Sequence, residues 1–241
     1  MAVRQVFFSI HKVLLLLFLL LIFSRREGYA QFSRGLAVEL GSGVTQLHGE
    51  MKEKPFKVGY HIGFDYMMSP YLSAGVQGMV GRLAANDQTG RQSTNNYLGA
   101  NFNVKARMGL LSAGSTDNFE LNYIREHAWR AILRNVYIGT GIGFIHNDVD
   151  ANRGGESAET NLHLTGQDNS SGMFVPINVG VDVPFGYTLS GPIWSVNLNA
   201  QLGLYFGDEM DGYANAFSKH NDRMFYFSIA VKRSLFNRSI N

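Results

Sequence analysis

Between Tyr97 and Leu110 (YLGANFNVKARMGL) the residue character changes at every step. Leu98, Ala100, Phe102, Val104, Ala106, Met108 and Leu110 fall on one face, and Tyr97, Gly99, Asn101, Asn103, Lys105, Arg107 and Gly109 on the other. A period of two means an extended strand, because successive side chains leave a strand on opposite sides. Strands in soluble domains usually run about 5–6 residues. This one is far longer, and its charges keep to one side, which suits a wall between hydrocarbon and a wet interior.

The pattern recurs at Leu36–Leu47, Val58–Met67, Leu72–Leu83, Val136–Ile145, Met173–Val183, Trp194–Phe206 and Met224–Lys232. Trp194–Phe206 is the most regular: Trp194, Val196, Leu198, Ala200, Leu202, Leu204 and Phe206 alternate with Ser195, Asn197, Asn199, Gln201, Gly203 and Tyr205. An even number of such strands closes an up-and-down barrel, with long loops outside and short turns inside. His48–Lys57, Leu83–Asn95, His146–Gly172 and Gly207–Arg223 read as the long polar loops, and Met68–Tyr71 and Pro184–Ile193 as the short inner connections. Leu111–Arg134 breaks the rule. Its apolar residues, Phe119, Leu121, Ile124, Trp129 and Ile132 among them, predict a short amphipathic helix on the inner leaflet. The alternative is a further strand pair, giving ten strands. The expected fold is all-β: an eight-stranded antiparallel up-and-down transmembrane β-barrel. A soluble sandwich or lipocalin would bury the apolar face and turn the other to water.

Residues 1–30 have the order of a secretory leader. Arg4 and Lys12 precede the apolar run Val13–Phe23, and Gly28-Tyr29-Ala30 follows, so cleavage is expected before Gln31. The run is too short to cross a bilayer core, which takes roughly 20 residues. Residues 31–241 are then the barrel domain. The leader holds Arg4, Lys12, Arg25 and Arg26 against Glu27 alone, so its removal takes the formal charge from +2 to −1. The basic excess belongs to the export signal and argues for no nucleic-acid partner. With no cysteine in the chain, a lipoprotein anchor, a disulfide framework and thiolate chemistry are excluded.

The interior of eight strands is only wide enough for side chains to fill. Glu39, His61, Asp65, Lys105, Arg107, Asp182 and Lys232 lie on the inward face and are expected to form a polar lumen network that plugs the barrel. His61 and Asp65 are four apart, but no further ligands signal a metal site, so His61 reads as a satisfied interior histidine. No cofactor is expected. Tyr60, Tyr66, Tyr97, Trp194, Phe206 and Phe225 stand near strand ends and are assigned to interfacial aromatic girdles. Gly139, Gly141 and Gly143 are spaced by two inside a strand, which marks a face thinned for bulky neighbours across the lumen and no phosphate loop. Outer acidic clusters, Asp148/Asp150 and Asp208/Glu209/Asp211, read as solvated loops; a divalent cation bridging them to lipid phosphates is the competing chemistry. Ser218, His220 and Asp222 supply the residue types of an acyl hydrolase without any sign of convergence.

The stretches Tyr137–Gly143 (YIGTGIG), Val175–Gly180 (VPINVG), Phe206–Tyr213 (FGDEMDGY) and Asn221–Ser228 (NDRMFYFS) resemble the barrel-only, eight-stranded outer-membrane proteins common in Bacteroidota. These are similar in architecture to the OmpA transmembrane domain, without its peptidoglycan-binding domain. The resemblance implies an outer-membrane location, with membrane lipids and lipopolysaccharide as partners. The expected role is structural or surface-interaction, carried by the extracellular loops of a monomer that is not a pore and not an enzyme. An accessory place in a secretion or assembly complex, with envelope protein partners, is the first alternative. A lipid-modifying enzyme at the outer rim is the second.

Overall fold

Eight strands carry the alternation: β1 (Leu36–His48), β2 (Lys57–Met67), β3 (Leu72–Asn86), β4 (Gln92–Arg107), β5 (Val136–Asn152), β6 (Asn169–Thr188), β7 (Gly191–Tyr205) and β8 (Arg223–Ser234). In the computed structural model every strand pairs antiparallel with its neighbours in sequence, and β1 closes the sheet on β8. The structure describes residues 35–49, 53–69, 71–86, 92–109, 132–152, 169–188, 191–206, 210 and 222–235. The leader lies outside them, as does nearly all of the Leu111–Arg134 segment. At that segment's end, Ile132–Arg134 form one helical turn. Among the described residues eight strands close the barrel, and β4 pairs directly with β5, so no further strand pair enters the wall between them.

Closure leaves no strand edge in the wall. That matters because an unpaired N–H or C=O in hydrocarbon costs several kcal/mol. The polarity of the wall is inverted relative to a soluble protein. Leu40, Leu98 and Ile138 are 66%, 60% and 62% exposed on the outside, whereas Glu39 and Asp182 are 4% and 6% exposed within. Water around such an exterior would face a contiguous apolar surface far beyond the few hundred Å² that soluble monomers show. On β3 and β4 the apolar outer face runs from Leu72 and Ala106 up to Val80 and Leu98. That is about 27 Å along the strand before tilt, matching an apolar band of about 25 Å. The architecture is that of an outer-membrane barrel.

Beyond that band the outer face turns polar at one level: Arg82, Asn96, His146 and Ser171 follow Val80, Leu98, Phe144 and Met173. β3 to β6 continue past it. The residues from His146 to Gly172, expected as one loop, supply instead seven more residues of β5 (to Asn152) and the start of β6 at Asn169. One side of the rim therefore stands higher than the other. The loop before β2 braces this wall, for Glu53 and Asn86 exchange backbone hydrogen bonds, both at 3.0 Å. At the opposite end Ser69 makes the β2–β3 turn, its Oγ accepting from Leu72 N at 2.9 Å. The β5–β6 ladder skips Gly141 and Ile142, opposite Pro176, which has no N–H to give.

Leu198→Arg, on the exposed outer face of β7, is expected to destabilise the barrel by about 2–4 kcal/mol near the bilayer midplane. Leu198→Val should be close to neutral, because the side chain meets hydrocarbon and packs against no core. Denaturant unfolding from lipid vesicles measures both. Equal costs would contradict the assignment of the outer face to lipid.

Candidate functional site in the barrel lumen

All seven residues expected in the lumen network are brought together, at the end of the barrel that carries the β2–β3 turn. Lys232 on β8 is the hub. Its Nζ lies 2.7 Å from Asp65 Oδ2, 3.2 Å from Glu39 Oε2 and 3.4 Å from Asp182 Oδ1. The approach to Glu39 is an ion pair without the alignment of a hydrogen bond. Each carboxylate has a second partner. Lys105 Nζ reaches Asp65 at 3.0 Å, Arg107 Nη2 reaches Asp182 at 2.9 Å, and His61 Nε2 donates to Glu39 Oε1 at 2.9 Å. Tyr226 then donates its hydroxyl proton to His61 Nδ1 at 2.7 Å, so a neutral imidazole satisfies both ring nitrogens. With that assignment the cluster holds three carboxylates and three cations and is neutral as a unit.

Above the ions lies a chain of amides. Asn197 donates to Asp182 Oδ1 and to the Tyr137 hydroxyl, both at 2.8 Å. Asn199 donates to Asn178 at 3.2 Å, Asn178 to Asn103 at 3.0 Å, and Asn103 to Asn101, which donates to Gln77 at 3.3 Å. The chain crosses the lumen from β7 to β3. Amides suit this position because each carries both donor and acceptor.

The outer mouth is lined differently, and sequence reasoning missed it. Leu47, Met79, Leu83, Tyr97, Ile145 and Phe174 are buried there together with Tyr205, Met210 and Met224. Met210, from the connection between β7 and β8, is fixed at three points. Its N–H donates to Asp222 Oδ2 at 2.9 Å, its carbonyl accepts from Asn95 Nδ2 at 2.8 Å, and its side chain is 1% exposed in the apolar layer. The available signal was the repeated failure of polarity at the outer ends: Met79, Leu83, Ile145 and Phe174 all occupy the parity of the polar face.

Tyr97 requires a correction. It is buried in the lumen and belongs to no interfacial girdle. Position 97 shares parity with Asn101 and Lys105, and its hydroxyl occupies the space above two glycines. A Cβ on Gly59 or Gly81 would sit 2.8 or 2.7 Å from Tyr97 Oη. Tyr60, Tyr66 and Phe206 do face outward, and Trp194 and Phe225 are half-buried on the same outer face. Trp194 stacks on Phe185 at 6.5 Å and carries the Arg233 guanidinium 5.1 Å above its ring. Among the three spaced glycines, Gly143 accommodates the Phe174 ring and Gly139 the Lys105 stem, while Gly141 meets the Phe102 carbonyl. The face is thinned for neighbours on the adjoining strands β4 and β6, and the expected bulky groups across the lumen are not what these glycines meet.

The outward Asp148 and Asp150 are exposed on β5, and among the described residues no group of three metal-ligating side chains forms. Ser218 and His220 lie outside the described residues, while the Asp222 carboxylate is turned inward to Met210.

Lys232→Met is expected to cost about 3–5 kcal/mol, because it strands a buried negative charge among three carboxylates. Adding Asp65→Asn should recover a large part of that loss, since the double variant again balances two carboxylates with two cations. A double-mutant cycle from denaturant unfolding measures the recovery. Additive costs would show that charge balance is not what the hub provides.

No protein-family model matches the chain, and no curated protein sequence does. Among solved structures it is similar to the attachment invasion locus protein Ail of Yersinia pestis, solved with the heparin analogue sucrose octasulfate. The identity is 7%, over 85% of this chain and 100% of that one, with a TM-score of 0.46. Neisserial surface protein A (NspA) matches at 11% identity, over 85% of this chain and 99% of that one, with a TM-score of 0.45. The outer membrane protein OprG of Pseudomonas aeruginosa matches at 9% identity, over 86% of this chain and 99% of that one, with a TM-score of 0.42.

Proposed function

We propose that this chain is a non-conducting outer-membrane barrel that holds its long loops at the cell surface, with a structural or surface-interaction role and no catalysis of its own. The observation that carries this reading is the filled lumen. A neutral ion cluster, a crossing chain of amides and an apolar layer succeed one another from the turn end to the mouth. An ion entering would have to break partners that hold the wall together. The second support is the raised polar wall of β3 to β6, which lifts the loop ends clear of the hydrocarbon band. Against an acyl hydrolase stands the inward commitment of Asp222 to the Met210 amide. Within the membrane the protein acts as a monomeric ring of eight strands.

Purified barrel added to a planar bilayer is expected to give no stepwise conductance; steady ohmic steps would overturn the closed lumen. The absence of native cysteine permits a clean test of orientation. Asp150→Cys, on the raised wall, should be labelled on intact cells by a membrane-impermeant maleimide. Met68→Cys, at the β2–β3 turn, should be labelled only after lysis. The reverse order would place the loops in the periplasm and remove the surface role.

A further inference from the structure

Across the outer wall one register row runs Ile62, Gly78, Ala100, Phe144 and Met173, over β2 to β6. Its two central positions carry little or no side chain, while Ile62 and Phe144 stand out on either side. The row beneath restores bulk with Val76 and Phe102. The result is an apolar groove of about 560 Å³ facing the hydrocarbon, with Gly78 and Ala100 as its floor. Gly78 is not thinned to make room for protein, as the inward Gly59, Gly81 and Gly143 are. A Cβ there would meet only Ile62 Cγ2, at an ordinary 3.8 Å.

Directly above the groove the wall changes chemistry. Two rungs up from Gly78 on β3 stands Arg82, exposed, its Nε donating to Asn96 Oδ1 at 3.0 Å. Tyr60 faces outward one rung lower, beside Val80. Asp148, on the far side of Asn96, repels an anion from that flank and leaves the Arg82–Tyr60 side as the favourable one. Four residues of strand separate Arg82 from Gly78, about 13 Å. This lies within the reach of one lipid leaflet, about half of a hydrocarbon core of about 30 Å. A cation at the headgroup level and a recess in the upper half of the apolar band therefore lie within the span of one lipid in that leaflet.

We propose that the groove holds one acyl chain of an anionic membrane lipid whose phosphate sits on Arg82. The inference rests on the membrane-spanning reading and adds to it a single ordered lipid. A chain in the recess touches protein on three sides and gains dispersion contacts that a chain on the convex wall lacks. The guanidinium adds charge-assisted hydrogen bonds to phosphate.

The test uses the full mature barrel in nanodiscs of phosphatidylethanolamine doped with phosphatidylglycerol, then released into mild detergent for native mass spectrometry. Wild type is expected to retain one phosphatidylglycerol. Gly78→Leu and, independently, Ala100→Leu fill the floor and should lower the retained fraction about tenfold, a difference of about 1.4 kcal/mol. Arg82→Gln should keep a bound lipid but lose the preference for phosphatidylglycerol. Unchanged retention in both floor variants, or an unchanged preference in Arg82→Gln, overturns the proposal. A dimer of wild type that the floor variants abolish also overturns it, assigning the groove to a second copy of the chain. Wild type that fails to enter nanodiscs, judged separately by heat-dependent gel mobility, would strike the membrane reading itself.

Discussion

The pairing of β1 with β8 is the constraint on which everything else depends. Hydrocarbon offers no partner to a backbone N–H or C=O, so a sheet can cross it only if the last strand returns to the first. With closure comes a sidedness that alternation must obey at every residue. The outward set meets lipid tails, and the inward set meets a lumen too narrow for bulk water. Polar side chains turned inward therefore lose most of their solvent and must replace it with one another. The ion cluster and the amide chain are consequences of eight-strand closure, and so is the low tolerance of the interior for an unpaired group.

Lys232 illustrates how tightly that requirement binds. A buried charge pair gains little over an apolar pair, because desolvation offsets most of the attraction. Three carboxylates around a single ammonium would be worse than a pair, were it not for Lys105 and Arg107 on β4 and for His61 on β2. Each of these serves a different carboxylate, so no acid depends on Lys232 alone. Residues from β1, β2, β4, β6 and β8 meet in the cluster, which ties the wall together across its diameter as well as around its circumference. Such cross-ties disfavour a register slip, since moving any one strand by a residue would turn its charge out into lipid.

Period two made the strands, their faces and the lumen charges legible in the sequence. Glu39, Asp65, Lys105, Arg107, Asp182 and Lys232 all stood on the parity that the structure turns inward. Where the alternation stopped reporting on lipid, legibility stopped with it. Above Phe144 and Met173 the wall has water outside, so an outward residue such as His146 or Asp148 looks like loop. β5 and β6 continue there on backbone pairing and on side-chain bonds between them, His146 with Ser171 at 2.8 Å and Asn147 to Ser170 at 3.2 Å. Tyr97 was misplaced for a related reason. Aromatic residues near strand ends serve interfaces in general, but its parity with Lys105, and the glycines at 59 on β2 and 81 on β3, already pointed inward. Partners on different strands cannot be matched by spacing within one of them.

The apolar mouth joins the two halves of the molecule's chemistry. A lumen polar throughout would admit water from the open end and weaken each ion pair beneath by raising the local dielectric. Leu47, Met79, Leu83, Ile145 and Phe174 hold that water off, and Met210 completes the layer from outside the sheet. The knob is positioned by Asn95 on β4 and Asp222 at the start of β8, which bind its carbonyl and its amide. Sealing the mouth therefore also anchors Met210, in the connection between β7 and β8, to β4 as well as to the residue that leads into β8. Lumen closure and placement of that surface connection become one structural event, so a substitution at Asn95 or Asp222 acts on the interior and on the surface together.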